Sequence, residues 1–105
     1  MTTPRPPQPP AVMQLIEQRR ERLGISKRTA AAFAGLSEAR WRQLAAGGRI
    51  FQGTLITETA PDHTLARMAL AVRLAPEDVK PHSADAAQML ADLIDEREAS
   101  GRQVT

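Results

Sequence analysis

A chain of 105 residues has room for one small domain with tails and excludes a multidomain enzyme. Hydrophobic residues at 42% and charged residues at 25% suit a folded globular chain, and the absence of cysteine excludes disulfides, thiolate metal sites and cysteine nucleophiles. The formal charge of +2 hides an asymmetry: residues 11–50 carry eight basic against three acidic side chains, net +5, whereas residues 51–105 carry five basic and nine acidic, net −4.

Residues 1–10 contain five prolines and no apolar periodicity, which predicts a disordered Pro-rich tail. From Ala11 the pattern becomes helical, with Val12, Leu15, Ile16 and Leu23 on one face and Gly24 as the stop. Ser26 is placed to cap a short helix over Lys27–Ala34, where Ala30, Ala31, Phe33 and Ala34 offer a packing surface. Gly35 ends it, Ser37 caps again, and Glu38–Ala46 reads as a further helix with Trp41 and Leu44 inward, closed by Gly47 and Gly48. Trp41 and Phe33 are expected in the core.

Residues 49–60 lack a helical period and contain Gly53 with the β-branched Ile50, Thr54, Ile56 and Thr57, so they form either a long loop or a small β-ribbon. Phe51 is expected to cover the domain. Pro61 and Asp62 open another helix with Leu65, Met68, Ala69 and Val72 on one face, and Pro76–Val79 gives one further helical turn. After Pro81, Ser83 caps a last amphipathic helix built on Ala86, Leu90, Leu93 and Ile94, which fades after Glu98, with Gly101–Thr105 frayed. Residues 81–105 thus form a C-terminal helix whose apolar residues pack on the domain or on a second copy.

The apolar run Leu65–Leu74 is broken by Arg67 and Arg73 and is too short to cross a bilayer, and the prolines of the first ten residues replace the apolar stretch of a signal peptide. A cytoplasmic, nucleoid-associated protein without a membrane partner is expected. His63 and His82 have no neighbours at metal-ligand spacing, and Asp92, Asp95, Glu96 and Glu98 read as a solvated helix face. No phosphate loop, nucleophile elbow or small-molecule site is evident, so no catalytic residue, cofactor, metal or small-molecule ligand is expected.

The stretch Ser26–Gly47 places two glycine-punctuated helices around a tight turn, with small Ala31 for close approach and Leu36, Trp41 and Leu44 to fill the corner. It resembles the helix-turn-helix of the lambda repressor-like, or xenobiotic-response-element, family: capping Ser26, apolar Ala30, small Ala31, the turn Gly35-Leu36-Ser37, core Trp41 and Leu44, then Gly47. Thr64–Ala69 and Leu74–Val79 look like that family's fourth and fifth helices, so the likeness spans residues 11–80. This chain departs from the pattern at Lys27, where the family often has Gln, at Ala45, where it often has an acid, and in the length of residues 49–60.

The resemblance implies an all-α fold, a five-helix helix-turn-helix domain with an added C-terminal helix. It also implies a sequence-specific transcriptional regulator of double-stranded DNA, a repressor acting by operator occupancy as a homodimer. The second helix of the motif would lie in the major groove, with Glu38, Ala39, Arg42 and Gln43 facing bases and Arg40 beside them. Lys27, Arg28, Thr29, Ser37 and Arg49 would meet phosphates, with Arg19, Arg20 and Arg22 as weaker contacts. Ala86, Leu90, Leu93 and Ile94 are the candidate dimer surface. The rival expectation is a helix-turn-helix adaptor or antitoxin that acts through protein contact.

Overall fold

A computed structural model describes residues 8–103; residues 1–7 of the predicted tail over residues 1–10, and residues 104–105 of the predicted frayed end, lie outside them. Six helices and one antiparallel ribbon make up the described chain: α1 (Ala11–Leu23), α2 (Lys27–Phe33), α3 (Glu38–Ala46), β1 (Gly48–Phe51), β2 (Thr54–Thr57), α4 (Asp62–Ala71), α5 (Pro76–Val79) and α6 (Ala84–Gln103). The architecture is mostly helical.

Helix boundaries follow local chemistry. The Ser26 and Ser37 hydroxyls accept the Thr29 and Arg40 amides at 3.1 and 3.0 Å, capping α2 and α3. Between these helices Gly35 takes φ +74°, a left-handed value that bends the chain while the Leu36 amide closes on the Ala31 carbonyl at 2.8 Å. The Asp78 carboxylate accepts the Ala75 amide at 3.0 Å and fixes the start of α5. Ser83 caps α6 through the Ala86 amide and also donates to Asp62 at 3.0 Å, joining the starts of α6 and α4. α6 runs on through Gly101 to Gln103, past the expected fading point.

Residues 49–60 resolve as a ribbon rather than a loop. Arg49 pairs with Ile56, Ile50 with Leu55 and Phe51 with Thr54 across a two-residue turn, Gln52-Gly53, whose φ values of 48° and 77° are both positive, as a type I′ turn requires. Gly48 at its base sits so close to β2 that a Cβ would lie 2.2 Å from the Ile56 carbonyl oxygen.

One core serves the described residues. α1 lies against α3, α2 against α3 and α4, and α6 against α4 and α5. Trp41, Ile16, Leu44, Met68, Leu90, Val72 and Val79 are its largest fully buried side chains. Three expectations about burial fail. On α1 the buried residues Val12, Met13 and Ile16 belong to its first half, and Leu23 in the last turn stays exposed. On α2 the small residues Ala30, Ala31 and Ala34 bring the helix close to its neighbours, and Phe33, off that face, is 55% exposed. Phe51 does not cover the domain: with Ile50 and Leu55 it sits beside the turn, at the far end of the ribbon from α3, and it is 51% exposed.

Candidate nucleic-acid interface

α3 divides cleanly between an inward and an outward face. Trp41, Leu44 and Ala45 are buried, as helical spacing demands, whereas Ala39 and Arg42 are exposed and Glu38, Arg40 and Gln43 are half-buried. The structure therefore brings all five proposed base-facing residues to one helix and outside its core. Arg42 donates to Glu38 at 2.8 Å, an i, i+4 pair that steadies the guanidinium without burying it.

Arg40 is engaged differently. Its Nη1 donates to Glu58 Oε2, and Arg49 Nε stands 3.5 Å from the other oxygen of the same carboxylate. Glu58 follows β2, and its side chain is only 17% exposed. One acid thus joins α3, β1 and the end of β2, and Arg49 also stacks over the Phe51 ring with 5.6 Å to its centroid. Sequence reasoning missed Glu58. The available signal was that it is the sole acid between Glu38 and Asp62, in a stretch containing Arg40, Arg42 and Arg49.

The start of α2 holds Lys27, Arg28 and Thr29. Lys27 Nζ is 3.9 Å from Glu17 on α1, Arg28 is exposed, and the Thr29 hydroxyl accepts from Ser26 at 2.9 Å. The Ser26 cap takes the Thr29 amide, which leaves the Lys27 and Arg28 amides without an intrahelical acceptor, and the Ser37 cap leaves those of Glu38 and Ala39 in the same condition. Both helix starts therefore present polar N–H groups with partial positive charge. Arg19 is half-buried and Arg22 exposed, but Arg20 is occupied internally: it donates to Glu17 and, at 2.8 Å, to the Ile25 carbonyl. That fixed role removes it from the weaker phosphate contacts.

The proposed dimer surface divides. Ala86 and Leu90 are fully buried in this chain's own core, which corrects their assignment, because a side chain packed against α4 offers nothing to a second copy. Leu93 and Ile94 are partly buried against the same core.

Among the described residues no cluster of three or more His, Cys, Asp or Glu side chains is placed to hold a metal ion, and no helix is long and apolar enough to cross a membrane. No family model, curated protein or solved structure matches the chain.

Proposed function

We propose that the chain is a sequence-specific, double-stranded DNA-binding regulator of transcription, with a lambda repressor-like helix-turn-helix in which α3 enters the major groove. The observation that carries this reading is the two-sided α3: Trp41 and Leu44 anchor it while Glu38, Ala39, Arg42 and Gln43 lie outside the core. Arg42 has the fork geometry for guanine and Gln43 the paired donor and acceptor for adenine. Lys27, Arg28 and Arg49 supply the positive charge that docks phosphates independently of sequence. Repression would follow from occupancy of the operator, with a second copy covering a second half-site.

Selection of bound duplexes from a random-sequence pool at near-physiological salt tests this reading. Enrichment of a motif with two related halves about 10 base pairs apart supports a dimeric sequence reader. A pool that stays random overturns it. Gln43→Ala should then relax the preference at one base position, whereas Lys27→Ala should weaken every sequence evenly and reduce the salt slope by about 1.

One observation favours a second reading, an adaptor or antitoxin acting through protein contact. Ile50, Phe51 and Leu55 expose an apolar tip at 45, 51 and 43%. That reading predicts that Arg42→Ala and Gln43→Ala leave function unchanged while Phe51→Ser abolishes it.

A further inference from the structure

A groove on the other side of α2 is built from elements that sequence reading did not connect. Two cavities, of about 580 and 120 Å³, share Leu70, Arg73 and Arg97 and so adjoin where α4, α5 and α6 approach α2. The larger part falls in the size range of small-molecule sites, and Leu74, Pro76 and Ile94 supply its apolar wall. Glu77 and Glu98 line this wide part only. Among the described residues no acid lines the narrow part, and its charged residues are the two arginines.

Both arginines line the two cavities and are exposed, so an anion in the groove can reach them. Arg97 lies over the Phe33 ring, 5.5 Å from its centroid, a cation–π contact that keeps the guanidinium beside the narrow part. This contact also accounts for the exposed phenylalanine on α2. Arg73 follows the last turn of α4 at φ +60°, in a turn closed by the Leu74 amide on the Ala69 carbonyl at 3.0 Å. Such a turn favours glycine, and a side chain there is strained. Among the described residues Arg73 makes no ion pair, and only backbone hydrogen bonds hold the turn. Strained backbone of this kind gathers at ligand sites.

We propose that this groove binds a small amphipathic carboxylate, its anionic end held between Arg73 and Arg97 in the narrow part and its apolar body lying over Leu70, Leu74 and Ile94. The charge pattern sets the direction, because Glu77 lines the wide part alone and repels a carboxylate there, whereas the described lining of the narrow part holds the two arginines and no acid. The site does not depend on the DNA-binding reading.

Octanoate is the probe, titrated into the full chain by calorimetry and by thermal unfolding, with 1-octanol and octylammonium as controls of equal length. Octanoate should bind saturably at one site per chain and raise Tm, with the alcohol and the amine at least tenfold weaker. Arg73→Gly should raise the ligand-free Tm, because glycine accepts the left-handed backbone, and should still weaken octanoate at least tenfold. Arg97→Gln should weaken octanoate by a similar factor. Lack of saturable octanoate binding, equal binding of octylammonium, or octanoate binding undiminished in both variants would each overturn the proposal.

Discussion

At Glu58 a single carboxylate takes the Arg40 guanidinium on one oxygen and stands 3.5 Å from Arg49 on the other, so it fixes the ribbon against α3. Its side chain is 17% exposed, which lessens solvent screening, whereas Glu38, paired with Arg42 along one helix face, is 39% exposed. Glu58→Ala should cost about 1–2 kcal/mol in urea unfolding, because charged hydrogen bonds are lost and two guanidinium groups are released together. Glu38→Ala should cost only about 0.3–0.5 kcal/mol, the usual worth of an exposed i, i+4 pair. Equal losses at the two positions would show that Glu58 does not hold the ribbon. Trp41 presents a different case at the same scale. It is fully buried, yet its indole Nε1–H finds no acceptor among the described residues. Leaving a buried donor unpaired costs about 1–3 kcal/mol, so Trp41→Phe removes that penalty while keeping an aromatic ring in the corner. The phenylalanine variant should lose less than about 1.5 kcal/mol of stability, whereas Trp41→Ala should lose about 3–5 kcal/mol through cavity formation. Thermal unfolding followed by far-UV circular dichroism separates the two without relying on the lost fluorophore.

Among the elements, the ribbon depends on backbone approach more than on side-chain burial. Gly48 takes φ +146° with the Ile56 carbonyl oxygen 2.2 Å from where a Cβ would stand, whereas Gly53 in the turn has φ +77° and open space around it. Gly48→Ala should therefore cost about 3 kcal/mol or more, combining backbone strain with a clash against rigid main chain. Gly53→Ala should cost only about 1–2 kcal/mol, the conformational penalty alone. Urea denaturation of the two variants makes the comparison. The same contrast explains what could be read from the sequence. Helices α2 and α3 were legible to within a residue because their signals are local: Ser26 and Ser37 cap, Gly35 turns, and Trp41 and Leu44 repeat at helical spacing. The ribbon stayed open between two descriptions because both its faces meet solvent around Ile50 and Leu55, so no apolar–polar alternation marks its strands. The Glu38–Arg42 pair is equally local, its members one helical turn apart. The Glu58 clamp is not, since its partners lie nine and eighteen positions away and meet only after the hairpin forms. Phe33 and Leu23 were misplaced because burial depends on which element stands opposite. Ala30, Ala31 and Ala34 were legible as a packing surface, but the pattern could not show that Phe33 falls outside it.

For the whole molecule, the role of α6 determines how association and stability are related. The sequence pattern allowed Ala86, Leu90, Leu93 and Ile94 to face either this domain or another copy, because an amphipathic helix carries no label for its partner. In the fold α6 lies along α4 and α5, and Leu90 and Ala86 are fully buried there without any second chain. Leu90→Ala should consequently remove about 2–5 kcal/mol from the unfolding free energy, the range for a truncated core leucine. That loss should be the same at micromolar and at hundred-micromolar chain concentrations. A residue holding two copies together behaves otherwise, because mass action makes Tm rise with concentration and truncation changes that dependence. Thermal melts of the natural chain and of Leu90→Ala across that concentration range read both quantities. A Leu90→Ala loss that varies with concentration would move α6 from the core to an interface. A constant loss would direct the search for a self-association surface to side chains the core leaves exposed, among them Ile50, Phe51 and Leu55 at the tip of the ribbon and Met89 on α6.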